Sequence, residues 1–128
     1  MLEGSCLCGG IRYEISAEVG PSIHCHCVQC RKASGASFTT NASVAADAFR
    51  FVEGESLVGE FESSPGQLRC FCTRCGSPLI KRIADKPETI RLRLGTLDSD
   101  PETTPAAHIF LRSKAPWTVI RDELPQHE

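Results

Sequence analysis

Cysteine is the residue type through which this chain could do chemistry. Its 128 residues include eight cysteines, and seven of them fall into three tight groups. The groups are Cys6 with Cys8, Cys25 with Cys27 and Cys30, and Cys72 with Cys75. Neighbouring cysteines on a tight turn can direct their sulfurs at one ion, whereas a disulfide between them would be strained. The spacing therefore favours metal binding over disulfides.

The first and last groups together predict one closed, structural zinc site. Cys6 and Cys8 lie at the N-terminus and Cys72 and Cys75 lie far along the chain, so a shared ion would close a long loop. Closing a long loop restricts the unfolded chain strongly. Gly76 follows the last pair and can turn the backbone toward the sulfurs. We expect these four thiolates to hold a structural Zn²⁺.

The middle group predicts a zinc site of a different kind. Cys25, Cys27 and Cys30 offer three thiolates, and three protein ligands with a vacant fourth position are typical of catalytic zinc. Three thiolates make the metal a weaker Lewis acid than three neutral imidazoles would. Such a site suits activation of an incoming thiol better than activation of water. We therefore interpret these three residues as the catalytic centre.

Cys70 is the cysteine that the grouping leaves over, and two interpretations of it stay open. It could be a fourth ligand beside Cys25, Cys27 and Cys30, which would close that site and remove its chemistry. It could instead be a small buried thiol packed beside the structural site.

Composition and charge limit the class of protein. The length favours one domain spanning residues 1–128. The 14 basic and 16 acidic residues contain no long basic run, which argues against nucleic-acid binding and a polybasic membrane anchor. We find no export signal and no apolar segment of membrane-spanning length. The sequence therefore predicts a cytoplasmic zinc protein with no nucleic-acid or membrane partner.

Short alternating segments predict a mostly β domain with little helix. Residues 28–34 are expected to form a helical segment, and so are residues 45–49. In the segment TIRLRL, Ile90, Leu92 and Leu94 should share one face and Arg91 and Arg93 the other. The expected strands are 11–15, 37–44, 49–52, 57–61, 67–71, 79–82 and 89–94.

The motifs resemble those of the glutathione-dependent formaldehyde-activating enzyme (GFA) family, whose domain also occurs in centromere protein V. The resemblance covers nearly the whole chain. It rests on GSCLCGGIRYE, HCHCVQCRKASGASF, RCFCTRCGSPL, GTLD, HIFLRSKAPW and a terminal LP. It implies a β-tent type fold of short antiparallel sheets built around zinc-binding cysteine knuckles. It also implies that Cys6, Cys8, Cys72 and Cys75 hold structural zinc, and that Cys25, Cys27 and Cys30 hold catalytic zinc.

The resemblance also implies an activity. The family's named reaction adds glutathione to formaldehyde to give S-(hydroxymethyl)glutathione, and in reverse it is a carbon-sulfur lyase reaction. A family enzyme that acts on a different thiol or electrophile, or a non-enzymatic zinc scaffold that binds a protein partner, are the alternatives.

For several other side chains, a structural or surface position competes with a functional role. His24 and His26 flank Cys25 and should point away from it, which favours supporting or surface positions over catalysis. We interpret His108 as structural and Trp117 as a core or edge aromatic residue. Several cations could meet the carboxylates of a glutathione-like substrate, although each by itself is expected to be a solvated surface charge. They are Arg31, Lys32, Arg69, Arg91 and Arg93.

Overall fold

The architecture consists of ten strands and one α-helix, joined by short turns. The computed structural model describes residues 1–128. In chain order the elements are β1 (Leu2–Ser5), β2 (Arg12–Ile15), β3 (Ser22–Cys25), α1 (Val28–Ser34), β4 (Thr39–Ala45), β5 (Phe49–Glu53), β6 (Val58–Ser64), β7 (Gln67–Cys72), β8 (Pro78–Ile83), β9 (Thr89–Arg93) and β10 (Pro105–Ile109). Four single-turn 3₁₀ helices occupy Ala46–Ala48, Glu55–Leu57, Leu94–Thr96 and Leu111–Ser113. None of the helices has the length and apolar character needed to cross a membrane.

Two sheets organise these strands. The smaller sheet has the order β1-β2-β5, and the larger has the order β10-β3-β4-β9-β8-β7-β6. Every pairing is antiparallel except that of β10 with β3, which is parallel. The prediction of a mostly β fold is confirmed, and the parallel edge pair is an addition to the antiparallel sheets that were expected.

The large sheet has one apolar face and one polar face. Val44, Ile80 and Leu92 are buried on the apolar face, in the same core cluster as Tyr13 and Ile15 of the small sheet. Because side chains alternate along a strand, the residues between them point to the opposite face. That second face carries Arg69 of β7, Lys81 of β8 and Arg91 and Arg93 of β9, and the sulfur of Cys30 lies beside it.

Helix α1 is short because a capping residue begins it and a glycine ends it only one to two turns later. Cys27 precedes the helix in an extended conformation, and its sulfur accepts a hydrogen bond from the Cys30 amide at 3.3 Å, as an N-cap side chain does. Gly35 ends the helix with φ of 69°, and its amide donates to the carbonyl of Arg31. The helix matches the predicted segment 28–34, and it fixes Cys27 and Cys30 one turn apart.

Most predicted elements are present, and three strands were missed. The seven predicted strands correspond to β2 and β4–β9, with ends that differ by a few residues. Residues 45–49 contain a single 3₁₀ turn. The missed strands β1, β3 and β10 have few β-branched or aromatic residues, and β10 contains Pro105 and two alanines. These segments are extended because they pair with other strands, and local sequence propensity carries no information on that pairing.

Gly54 is expected to be the glycine most sensitive to substitution, because it supports the turn that carries Cys6 and Cys8. Its φ is 72°, and a Cβ atom there would lie 1.9 Å from the carbonyl oxygen of Gly10. We expect Gly54→Ala to lower the free energy of unfolding by about 2–4 kcal/mol, through backbone strain together with steric overlap. Chemical denaturation monitored by circular dichroism measures this change.

Gly35→Ala is the matched control for Gly54→Ala. Gly35 has a similar φ of 69°, yet no atom lies within 4 Å of a Cβ placed there. This variant should therefore lose only the conformational contribution, about 1 kcal/mol. Equal losses in the two variants would contradict the importance of the contact between Gly54 and Gly10.

Candidate metal centres

The first cysteine cluster forms where two turns meet. Cys6 and Cys8 lie in the turn between β1 and β2, and Cys72 and Cys75 lie at the turn between β7 and β8. All four sulfur atoms lie within 4.8 Å of one another. The Gly76 amide closes the second turn by donating to the Cys72 carbonyl at 2.8 Å, with a Gly76 φ of 81°. Residues distant in sequence thus present one compact set of donors.

The geometry of this cluster fits a zinc ion. Tetrahedral zinc with Zn–S bonds of about 2.3 Å places its sulfurs about 3.8 Å apart. The sulfur of Cys8 lies 3.5 Å from that of Cys6 and 3.9 Å from that of Cys72. Backbone amides also point at the sulfurs, since Ile11 N–H donates to Cys6 at 3.3 Å and Cys75 N–H donates to Cys72 at 3.4 Å. Such donors stabilise thiolates.

Polar groups around the exposed side of the cluster favour the thiolate form. The Gly10 amide and then the Arg74 guanidinium lower the pKa of Cys8, and Arg74 Nε donates to its sulfur at 3.3 Å. The Ser77 hydroxyl, 3.2 Å from the Cys75 sulfur, is the main cause that lowers the pKa of Cys75 to about 5. Local polar groups therefore favour the thiolate forms of Cys8 and Cys75, whereas burial raises the pKa of the Cys72 thiol.

The second cluster joins the end of β3 to the first turn of α1. Cys25 ends the strand, Cys27 caps the helix and Cys30 lies within it, and their sulfurs are all within 4.8 Å of one another. Cys25 and Cys30 are buried, whereas Cys27 is half-buried. Three convergent sulfurs fit a metal that keeps one coordination position for another ligand.

The three thiols of this cluster share their protons unequally. Hydrogen bonds with Cys25 and then with Cys27 lower the pKa of Cys30, and the neighbouring thiols Cys27 and Cys30 raise the pKa of Cys25. Cys30 is also the sulfur that faces the nearest guanidinium group, that of Arg69.

Two arginines stand beside this second cluster. Both Nη atoms of Arg69 lie 3.9 Å from the sulfur of Cys30, and Arg69 Nε donates to Ser63 Oγ at 2.8 Å. Arg93 is 6% exposed and donates to the side-chain oxygen of Asn41. The expectation that these two arginines are solvated surface charges is therefore wrong, because neighbouring strands and α1 cover them.

Cys70 lies apart from the second cluster. Its sulfur lies 3.7 Å from Glu60 Oε2 and 3.7 Å from Arg82 Nη1. Cys70 is buried in the apolar core together with Cys72, whereas the adjacent Arg69 points to the other face and reaches Cys30. The geometry gives no support to Cys70 as a fourth ligand and agrees with the alternative of a buried thiol.

Comparison with known proteins places this cysteine arrangement in a family. The sequence model of the family described as glutathione-dependent formaldehyde-activating enzyme matches residues 1–113. The chain belongs to the GFA family. A relative from Halomonas elongata with the name "Putative glutathione-dependent formaldehyde-activating enzyme" is 34% identical over 129 aligned positions, covering 94% of this chain and 81% of the relative.

A solved structure supports the fold of this GFA-family chain. The crystal structure of a Rhodobacter sphaeroides protein superposes with a TM-score of 0.66 and 21% sequence identity. The match covers 80% of this chain and 97% of the other. At this identity the likeness concerns the fold alone. The family resemblance seen in the motifs is confirmed by the family match and the relative.

Three of the four histidines, His24, His26 and His108, form a cluster at the edge of the large sheet. His26 is fully buried, so a surface position for it is wrong, and its Nε2 lies 2.8 Å from Nδ1 of His108. His108 Nε2 lies 3.0 Å from Asp122 Oδ2, and His24 Nδ1 lies 3.0 Å from Thr40 Oγ1. Burial lowers the pKa of both His24 and His26, which favours neutral imidazoles. These contacts join the C-terminal segment to β3 and β10.

The structure also corrects one aromatic assignment. Trp117 is 68% exposed, so it is not a core residue, and its Nε1 donates to Ser37 Oγ at 3.0 Å. The guanidinium carbon of Arg31 lies 5.9 Å from the centre of the indole ring. Trp117 therefore packs on the surface beside the end of α1.

Sequence reasoning missed that Arg69 and Arg93 are buried beside the second cluster. A signal for Arg93 was present in the strict alternation of TIRLRL, which placed Arg91 and Arg93 on one face. That pattern is also typical of a strand with one solvated face. A buried face and a solvated face share this pattern, and only the packing of other elements against the face distinguishes them.

Proposed function

We propose that this chain is a zinc-dependent carbon-sulfur lyase that makes or cleaves a thiol adduct of formaldehyde, with glutathione or a similar thiol as the substrate. Cys25, Cys27 and Cys30 would hold the catalytic zinc, and Cys6, Cys8, Cys72 and Cys75 the structural zinc. The observation that carries the proposal is the convergence of three sulfurs with no fourth protein sulfur beside them. Membership of the GFA family supports the same reaction.

The chemistry follows from the donor set. A zinc ion held by the three thiolates would lower the pKa of a substrate thiol that joins them, which is what the metal supplies. In the forward direction the substrate sulfur forms a bond to the carbonyl carbon of formaldehyde. The π electrons of the C=O bond move to the oxygen, which takes up a proton. The substrate thiol gives up its own proton, so the protons balance over the step. The product is an S-hydroxymethyl hemithioacetal, and the reverse reaction returns thiol and aldehyde.

The protein's own residues contribute positioning and electrostatics. The buried Cys25 and Cys30 leave the half-buried Cys27 as the ligand nearest to solvent, which defines the side from which a thiol would approach. The guanidinium of Arg69 lies against the Cys30 sulfur and would offset the negative charge of the thiolates. The charge of Arg69 favours an incoming thiolate over a neutral ligand.

Exchange NMR on glutathione and formaldehyde tests this function. Glutathione and its hydroxymethyl adduct interconvert without a catalyst, and we expect the zinc-loaded protein to raise the interconversion rate in proportion to its concentration. The Cys70→Ser variant should raise it equally, because the Cys70 sulfur belongs to neither cysteine cluster. An interconversion rate unchanged by the zinc-loaded protein would refute the glutathione reaction.

A further inference from the structure

One face of the large sheet carries an unusual row of basic side chains. Arg69 on β7 pairs directly with Lys81 on β8, and Lys81 pairs directly with Arg91 on β9. Arg93 lies two residues beyond Arg91 and therefore on the same face. We name these four residues the basic row. Like charges directly opposite one another across strands are destabilising, so the row calls for an explanation.

Acidic side chains do not neutralise the basic row. The ion pairs of the structure join Arg50 to Glu14, Arg82 to Glu60 and His108 to Asp122, and none includes a member of the row. The partners of the row are neutral or are sulfurs. Arg91 donates to Ser43 and Arg93 to Asn41, while Arg69 contacts Ser63, Gln29 and Cys30.

Burial makes this excess charge costly. Arg69 and Arg93 are 9% and 6% exposed, and burial lowers the pKa of Arg93. Guanidinium groups stay protonated in proteins, so the charge cannot be removed by deprotonation. A zinc ion with three thiolates carries one net negative charge, which is too little to balance three guanidinium groups. The site therefore has room for further negative charge from a ligand.

A cavity leads from the basic row to the protein surface. Arg69 and Arg93 line a cavity of about 190 Å³, together with Phe61 and Ala33. Arg69, Phe61 and Ala33 also line an adjoining cavity of about 320 Å³, which reaches Lys32. Arg69 is therefore accessible from both cavities while it contacts Cys30. A ligand bound to Arg69 here would lie beside the second cluster, because the same guanidinium group contacts the Cys30 sulfur.

We propose that Arg69 and Arg93 are specificity-determining residues that bind a carboxylate of the thiol substrate, close to its sulfur. This inference rests on the proposed function for the sulfur, and it adds that the preferred substrates are mercaptocarboxylates. A thiolate together with one carboxylate would supply two negative charges to a site that lacks them. Guanidinium groups also match the planar carboxylate with paired hydrogen bonds. A neutral thiol of the same size would leave Arg93 without a carboxylate partner and Arg69 facing only the Cys30 sulfur.

The first experiment tests the carboxylate site without any thiol. Acetate and its neutral analogue acetamide are titrated into the zinc-loaded, full-length protein, and the arginine Nε–Hε signals are followed by NMR. We expect acetate, and not acetamide, to shift the signals of Arg69 and Arg93, assigned from the Arg69→Met and Arg93→Met variants. The signal of Arg50, which is exposed and paired with Glu14, serves as the internal control. Equal effects of the two compounds on Arg69 and Arg93 would overturn the inference.

The second experiment places the carboxylate relative to the sulfur. Mercaptoacetate and 2-mercaptoethanol are titrated into cobalt-substituted protein, and the cobalt–thiolate absorption reports binding of each thiol. We expect mercaptoacetate to bind about tenfold more tightly, as a charge-assisted pair of hydrogen bonds predicts. The preference should disappear in Arg93→Met or Arg69→Met and persist in Arg50→Met. Cobalt retained in the cluster of Cys6, Cys8, Cys72 and Cys75 shows that a variant is folded.

The outcomes separate the two proposals. A mercaptoacetate preference that persists in folded Arg69→Met and Arg93→Met variants would overturn the inference while leaving thiol activation intact. A selective effect of acetate on the two arginines, combined with no acceleration of the formaldehyde exchange, would support the carboxylate site and refute the glutathione reaction. Failure of both thiols to change the cobalt spectrum would contradict the sulfur part of the proposal and hence the inference built on it.

Discussion

Replacing Cys72 with serine is expected to unfold the domain. Cys72 ends β7, is fully buried in the core, and brings its sulfur to 3.9 Å from that of Cys8. A structural zinc site contributes about 10–16 kcal/mol of apparent folding free energy in small zinc peptides. That contribution is as large as the whole net stability of an ordinary domain, about 5–15 kcal/mol. Serine is a poor ligand for zinc, so the variant should lose most of this stabilisation.

The measurement is thermal unfolding by circular dichroism together with the zinc content of the purified protein. We expect Cys72→Ser to show no cooperative transition near that of the unmodified chain. Cys70→Ser is the matched control, because Cys70 is two residues away on the same strand, equally buried, and outside both sulfur clusters. Cys70→Ser should lower the free energy of unfolding by only about 1–2 kcal/mol, as a single polar substitution in a buried position usually does. Similar unfolding of the two variants would contradict a structural metal at Cys72.

Replacing Cys27 with serine is expected to abolish the exchange activity while the fold remains. Cys27 caps helix α1 through its side chain, and serine is a favourable N-cap residue, so the helix should persist. The second cluster would then have two thiolates, too few to hold zinc tightly. Zinc content should fall from two ions per chain to one, and the formaldehyde exchange should return to the uncatalysed rate.

Two other cysteine variants serve as controls for this second result. Cys25→Ala should also leave one zinc ion, because it removes another sulfur of the second cluster. Cys70→Ser should keep two zinc ions and full activity. A variant of Cys27 that is folded, retains two zinc ions and accelerates exchange normally would refute the assignment of the catalytic centre. Loss of one zinc ion from Cys70→Ser would instead show that Cys70 is a ligand.

The local chemistry of this protein was predictable from its sequence. Sulfurs separated by one or two residues must lie close together in any tight turn, so the pairs Cys6/Cys8 and Cys72/Cys75 and the group at Cys25 could be identified directly. Helix α1 was also predicted, on weaker signals, and the structure shows that its cap residue Cys27 and Gly35 directly flank the segment. Strands with strong alternation of apolar and polar residues, such as β9, could be predicted because that pattern is also local in sequence.

The roles of Cys70, Arg69 and Arg93 depended on tertiary structure. Their positions follow from strand alternation, but which face is covered depends on pairing between strands that are distant in sequence. One face of β7 packs Cys70 into the apolar core, and the other directs Arg69 toward Cys30. Likewise β1, β3 and β10 are strands because partners hold them, and Arg69 contacts Gln29 and Cys30 because α1 packs beside β7. Spacing along the chain determined which sulfurs could share a metal, whereas sheet register decided which charges surround it.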